Sequence, residues 1–456
     1  MYKKILIASL ALIAGLASCK KDDPTPSPNP PSGLTIDGVA STLEFYQLDT
    51  AHLSVAGAAK DAAAKAVWAV NGAKAAEGAT FDFTTAHPGK YEVTLTVDGK
   101  SVKHTYTVAP RFSEGAFLLN EGNFGNETGS LTYIHPSKKL VIDQAYYRIN
   151  GTKLGNVCQD LAFGNDQIYI LSQLGPKNGG EGLLTIARSN SLEKVKVYND
   201  EALAQSTPTH IAVLRDHIYI RTERDGILRG SSEGGFTPIT GTKKALKQRM
   251  AQIGERIFAL TKDNKILMIQ GTQVVRELDL SPAKPSGIAV SHDGKLWVST
   301  TSPNAILKVD PTPDNFVALD THVLDKSISA TGPESWQHTT SSAFFAHGDK
   351  LYFTGQSSVI YCHDFATSKT SQVIDVKTID GVGTSANMYY NSLGVDPSTG
   401  ELYYAAFEGY STYNKKNVTM VLKADGTKLL LKEKVNSFPA GFYFIPNAAS
   451  RTGANR

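Results

Sequence analysis

The chain has 456 residues, 41% of them hydrophobic, with 39 glycines and a net charge of +3. That length exceeds one small core, and scattered lysines and arginines without a long basic run give bulk charge no case for nucleic acid. Three cysteines exclude a disulfide framework, and Cys158 and Cys362 lie far apart and read as unpaired.

Met1-Tyr-Lys-Lys is a positive start, and Ile5 to Leu16 is an apolar run too short to span a bilayer. Leu16-Ala17-Ser18-Cys19 then matches the lipobox of bacterial lipoproteins, whose Cys is lipidated and becomes residue one. Residues 1–18 therefore read as a signal peptide and Cys19 as the lipidation site. Each buried CH₂ of an acyl chain is worth ~0.8 kcal/mol, so a multiply acylated Cys19 holds the chain on a membrane. Residues 19–32 follow as an extended tether. Pro24 to Ser32 carries five prolines, which neither a helix nor a central strand accepts. Asp22-Asp23 resembles the surface-export signal of Bacteroidetes lipoproteins, and Asp49-Thr50-Ala51 the O-glycosylation motif of that phylum.

Residues 33–110 read as alternating strands at Leu43–Tyr46, Ala66–Val70, Phe81–Phe83, Tyr91–Val97 and Val102–Val108. Asp98-Gly99 is a two-residue hairpin turn. The Ala-rich stretches 57–66 and 73–77 fall inside strand spacing and read as loops or short turns. His87-Pro-Gly-Lys-Tyr91 with the alternating run to Val97, and Trp68 upstream, resembles the signature of PKD-type immunoglobulin-like sandwiches. The resemblance implies a spacer module.

Residues 111–446 carry a repeat in which a strand meets a tight polar turn, then a second strand with an aromatic near its start. Six copies run Leu161–Tyr169, Ile211–Tyr219, Met250–Phe258, Ile288–Trp297, Phe344–Tyr352 and Leu393–Tyr403. The seventh is split between Gly441–Ile445 and Gly115–Leu119. The aromatics Phe117, Tyr169, Tyr219, Phe258, Trp297, Tyr352 and Tyr403 recur every 39 to 55 residues. A strand-built period of that size predicts a β-propeller, and the split copy predicts a ring closed by the two ends of the chain. Two further strands follow each hairpin, as at Gly182–Ala187 with Val195–Tyr198. The fold class expected is thus all-β, a PKD-type immunoglobulin-like sandwich followed by a seven-bladed β-propeller, with 447–456 as a tail. Ala162, Ala212, Ala251, Ala289, Gly394 and Gly441 read as the small residues that let innermost strands crowd a central channel. The repeated aromatics read as wedges between blades.

Function is expected in the loops that exceed minimal length. These are Asn120–Gly129, Ser327–Thr340, Thr384–Asn391 and Phe407–Asn414. Their aromatic and amide side chains suit stacking and hydrogen bonding to a planar or sugar-like ligand. Local cores between packed loops are the equal alternative. The candidate ligand-binding residues are Asn123, Phe124, Trp336, Asn387, Tyr389, Tyr390 and Tyr410. Arg221, Arg249 and His210 are expected near the channel mouth, where the arginines meet either a ligand anion or Asp160 and Glu223. No G-x-S-x-G, H-E-x-x-H, Walker or CxxC motif occurs, so no catalytic residue is assigned. Ser291–Trp297 is similar to the Asp box of sialidases but occurs once, in a hairpin turn. His135, His292, His338, His347 and His363 are dispersed, and neither metal nor cofactor is expected.

Ala116–Tyr133, with its Asn120-Glu-Gly-Asn-Phe124 core, follows a PKD-like module and a lipobox. Together they resemble Bacteroidetes surface lipoproteins with YncE-like seven-bladed propellers, among them the BtuG-type cobalamin-capture proteins. The resemblance implies a non-enzymatic, lipid-anchored outer-membrane protein facing the cell exterior. It would capture a small molecule, cobalamin or another scarce nutrient, and sit on a TonB-dependent transporter. The other readings are a lactonase- or lyase-like propeller enzyme and a surface adhesion or scaffold protein.

Overall fold

The structure is a computed structural model and describes residues 33–39, 44–328, 343–355, 357–387 and 393–446. The chain divides into two compact units, one holding residues up to 43, 50–83 and 90–106, the other 44–49, 84–89 and everything from 107. Cys19 and the tether lie outside the described residues.

In the first unit, a three-stranded sheet orders Thr35–Asp37, Thr50–Ala56 and Thr80–Thr84. A larger sheet orders Lys100–Ala109, Gly89–Val97, Val67–Val70 and Ala73–Glu77; Phe45–Tyr46, which pairs with its Val108–Ala109 end, belongs with that end to the second unit. Alternation along Gly89–Val97 buries Val93, Leu95 and Val97 on one face. Trp68 reaches Phe81 of the smaller sheet at 5.6 Å, and Phe83 stacks on Tyr106 of the larger at 4.7 Å. The two sheets therefore pack face to face. Trp68 Nε1 donates to the Gly78 carbonyl at 2.9 Å, which satisfies the indole inside the core. Asp98 and Gly99 both take positive φ, as the predicted hairpin turn requires. The Ala-rich stretches depart from expectation. Lys60–Ala63 forms one helical turn, and Ala73–Glu77 is an edge strand paired with Val67–Val70. Alanine's tolerance of either conformation left tertiary pairing to decide.

In the second unit, seven four-stranded antiparallel sheets occur among the described residues. Sheet 1 joins Ala116–Asn120, Ser130–His135 and Leu140–Ile142 to the C-terminal strand Pro439–Phe444. Sheets 2 to 7 are consecutive in sequence: 156–198, 208–238, 251–279, 285–323, 344–375 and 393–433. Side chains alternate across each strand, so each sheet feeds two cores. Ile168 and Ile170 join the core shared with sheet 1, while Tyr169 and Leu171 join the core shared with sheet 3. The repeated aromatics all point onward. Phe117, Tyr169, Tyr219, Phe258, Trp297, Tyr352 and Tyr403 each pack in the core between their own sheet and the next. The last of these cores joins sheet 7 back to sheet 1 through Tyr403, Ala405 and Val421 with Ala116, Leu118 and Phe442. Fourth strands such as Gln273–Asp279 and Ala318–Val323 are mostly exposed and polar, which protects the outer edges from further pairing.

The first strands line a common cavity of about 310 Å³ that Ala162, Ala289, Phe345, Val395 and Tyr443 share. Small residues face the aromatic across the hairpin in five sheets: Ala162, Ala212, Ala251, Ala289 and Gly394. The rule fails in two. Phe345 pairs with Tyr352, and Tyr443, not Gly441, pairs with Phe117. Gly441 has a different reason to be small. At φ +144 its missing Cβ would lie 1.8 Å from Arg249 Nη2.

The split copy pairs as its halves suggest, with Gly441 opposite Leu119, Phe442 opposite Leu118 and Phe444 opposite Ala116. Truncation after Ser437 removes Phe442 and Tyr443 from two cores, each worth about 3–5 kcal/mol. Total stability of a domain is about 5–15 kcal/mol. The truncated chain should therefore lose its cooperative melt by circular dichroism; an unchanged midpoint would show that the pairing is dispensable.

Candidate functional site at the loop face

The loops that lead into first strands and those joining second to third strands lie on one side of the second unit, because strands within each sheet are antiparallel. The loop after Asn120 belongs here. Asn120 Oδ1 accepts from Ser437 N at 3.0 Å, and Glu121 N donates to the Phe438 carbonyl at 2.8 Å. Gly122 turns at φ +76, where a Cβ would meet the Thr128 carbonyl at 2.4 Å. Asn123 O then accepts from Asn126 N and Glu127 N, both at 2.9 Å. The loop is thus fixed by its own backbone, and it presents Phe124 with its ring 66% exposed.

Across the seam stands an aromatic group. Tyr413 and Tyr410 lie 4.5 and 5.7 Å from Phe438, and Phe407 lies edge-on to it at 5.2 Å. Tyr413 Oη and Ser437 Oγ both donate to Glu127 Oε2 at 2.9 Å, and Asn123 also bonds the Tyr413 side chain. Asn387 joins through its amide N, which donates to the Phe407 carbonyl at 3.3 Å. Its side chain donates to Thr384 O at 2.7 Å and is exposed. Tyr410 keeps 43% of its surface in solvent. The result is a half-open aromatic surface edged by amides and carboxylates.

A second cluster sits where the chain enters sheet 4. The Arg249 guanidinium lies 4.2 Å over the Tyr443 ring, with Nε 3.5 Å from Asp160 Oδ1 and Nη2 donating to Ala440 O at 3.3 Å. Tyr443 Oη donates to Asp160 Oδ1 at 2.6 Å, and Ile211 N to Oδ2 at 2.9 Å. Burial raises Asp160 above the ordinary carboxylate range, and Arg249, Tyr443 and two backbone amides pull it back. Burial also raises Tyr443.

Of the residues expected at the site, the structure brings Asn123, Tyr410 and Asn387 together around Phe407 and Phe438, with Phe124 on the adjoining loop. Arg249 pairs with Asp160. Arg221 is buried at 2% exposure and is used internally. It bonds Ala245 O and Thr209 Oγ1 and forms an ion pair with Glu223 at 3.0 Å. His210 is fully buried against Thr209. Trp336, Tyr389 and Tyr390 lie outside the described residues. Sequence reasoning missed Phe438, whose signal was an aromatic just before Pro439 at the start of the split strand, and the bridging role of Glu127. Ser291–Trp297 is a hairpin in which Ser291 accepts from Trp297 Nε1 at 3.1 Å. Among the described residues no group of three His, Cys, Asp or Glu side chains is placed to hold a metal. The histidines are less dispersed than their sequence positions suggest, since His292 lies 5.1 Å from His347 and His322 bonds His363 at 2.9 Å. Cys158 and Cys362 are free thiols.

A family model described as a domain of unknown function, DUF5074, matches residues 114–446. The chain belongs to the DUF5074 family. No curated protein matches it. Among solved structures, this DUF5074 chain is similar to a quinonprotein alcohol dehydrogenase-like protein from Bacteroides thetaiotaomicron, at 15% identity and TM-score 0.57, over 90% of this chain and 98% of that one. Virginiamycin B lyase from Staphylococcus aureus matches at 12% identity and TM-score 0.43, over 63% of this chain and 90% of the lyase. A protein from Lactobacillus plantarum matches at 12% and TM-score 0.47, over 73% and 99%. The first of these likenesses supports a propeller-like fold; none bears on chemistry.

The Arg249–Asp160 pair sets a pH-dependent test. An acid whose folded pKa lies above its unfolded one costs stability once pH rises past the unfolded value, and the full cost is present above the folded value. Arg249→Met removes the counter-charge and raises Asp160 further. The variant should lose about 3 kcal/mol near neutral pH and less as pH falls and Asp160 binds a proton. Denaturant melts across pH check this; an equal loss at every pH would show that Asp160 is not the charge concerned.

Proposed function

We propose that this DUF5074 protein captures a small ligand on its loop face. In this reading the seven sheets are the blades of a seven-bladed propeller behind a PKD-type immunoglobulin-like module. Lipidated Cys19 anchors the chain to the outer membrane, facing outward. The ligand passes to a TonB-dependent transporter, as the resemblance to BtuG-type proteins implies, and cobalamin is the first ligand to try. The observation that carries the reading is the half-open surface of Tyr410 and Tyr413, seated on buried Phe407 and Phe438, beside exposed Phe124. Rigid aromatic anchors next to fixed amide groups are what binding of a flat or ring-rich ligand needs. The Asp160–Tyr443 pair is buried and bonded internally, so it offers no free acid or base to a ligand.

Titration calorimetry of residues 33–456 against cyanocobalamin, haem and glycans tests the capture reading. The ligand that binds should lose roughly tenfold or more in affinity on Phe124→Ala with Tyr410→Ala. Phe124→Ala alone should leave the melting midpoint unchanged, given its 66% exposure. Binding by none of the panel, or full affinity in the double variant, overturns it.

Anchoring is tested separately. Cys19→Ala should release the protein from the membrane fraction or block its processing, and intact cells should lose surface labelling. Normal labelling of that variant would rule out lipid anchoring through Cys19.

A further inference from the structure

A second cavity lies on the opposite side of the second unit. It holds about 850 Å³ and is lined by turns that follow first strands, chiefly Asp396–Glu401, with Glu114, His135 and Phe444. Pro397 and Phe444 line both this cavity and the 310 Å³ cavity of the first strands. Its volume lies within the ordinary range of small-molecule sites, about 300–1,000 Å³.

The lining has two characters. One wall is apolar: half-buried Phe444, edge-on to Tyr403 at 5.0 Å, with Leu429 and Ile445 beside it. The rim is acidic, with Glu114, Asp396 and Glu401. Asp396 Oδ1 is occupied by its own turn, accepting from Ser398 N at 2.8 Å. Glu401 is half-buried, and burial, then Asp396, raises its pKa. Asp396 and Glu401 line the cavity together, and a carboxylate raised by its neighbour favours a ligand that brings a cation. Among the described lining residues Lys139 is the one permanent cation, and it is exposed. His135 adds a second sign of an unfilled site. It is only 7% exposed, and its Nε2 finds Glu114 Oε2 no nearer than 3.5 Å, beyond a good hydrogen bond. Burial, then Lys138, lowers its pKa, while Glu114 acts in the opposite direction.

We propose that this cavity binds a small organic amine, with the ammonium among Glu401, Asp396 and Glu114 and the apolar body against Phe444. The ammonium relieves the carboxylate repulsion, and the half-buried aromatic wall adds a cation–π face. The site is independent of the loop-face reading and lies on the opposite side of the second unit.

Tryptamine is the probe, and tryptophol, with a hydroxyl in place of the ammonium, is its neutral counterpart. Calorimetry on residues 33–456 should give saturable, salt-sensitive binding of tryptamine and none of tryptophol. Glu114→Gln with Glu401→Gln should weaken tryptamine at least roughly tenfold, the weight of one charge-assisted contact. Phe124→Ala on the loop face should leave it unchanged. Absence of saturable tryptamine binding, equal binding of tryptophol, or undiminished affinity in the double Gln variant each overturns the proposal. The comparison of the two probes needs only the wild-type protein, so it stands even where a variant folds poorly.

Discussion

The second unit depends on one pairing, that of Pro439–Phe444 with Ala116–Asn120. Seven sheets in an open row would leave the outward faces of the first and last bare to water. Pairing the two ends of the chain gives every sheet two neighbours, so each buries both faces. The C-terminal strand serves both sides of the seam. Ala440 and Tyr443 pack toward sheet 2, while Phe442 packs toward sheet 7. Closure also sets the order of assembly. Sheets 2 to 7 form from neighbouring segments, but sheet 1 waits for the end of the chain, across a sequence separation that makes its contacts slow to form.

That seam is also where the chemistry gathers. Ser437 and Phe438 lie directly before the closing strand, and they hold the Asn120–Gly129 loop through Asn120, Glu121 and Glu127. Tyr443, within the strand, holds Asp160 and stacks under Arg249. A residue four sheets away in sequence is thereby tied to the seam. The loops around Phe124 and Tyr410 rest on a junction that must form for the unit to exist, which gives them a rigid base without long buried loops of their own.

Much of this architecture was legible because turn chemistry and alternation are local. Asn165-Asp166 and Arg215 take left-handed φ in their hairpins, and each is followed by an aromatic two or more residues later. Strands buried on both faces read as continuous apolar runs, as Leu402–Phe407 does. The split copy was readable for the same reason. What escaped was settled by distant partners. Alanine at 73–77 became an edge strand because Val67–Val70 lay beside it. Gly441 looked like another small inner residue, whereas its bareness makes room for the Arg249 guanidinium. Arg221 looked like a reachable cation and is instead a buried brace between Thr209, Ala245 and Glu223. The aromatic group at the loops was half visible. Tyr410 and Tyr413 stood out as departures from the repeat, but their common partner Phe438 lies outside the loops that exceed minimal length.

The channel itself is polarised. Toward the loop face its charges cancel within the protein, since Asp160 accepts hydrogen bonds from Tyr443 Oη and Ile211 N and sits beside Arg249. Its walls between are apolar, with Ile288, Val290, Phe344 and Val395. At the opposite cavity the balance is negative, with three carboxylates against one exposed lysine. The loop-face end and the acidic cavity thus differ in charge and polarity. The two faces therefore act as separate surfaces. Under the two proposals the aromatic seam takes a flat or amide-seeking ligand and the opposite cavity takes a cation, because each ligand would leave a charge or a polar group unpaired at the other place.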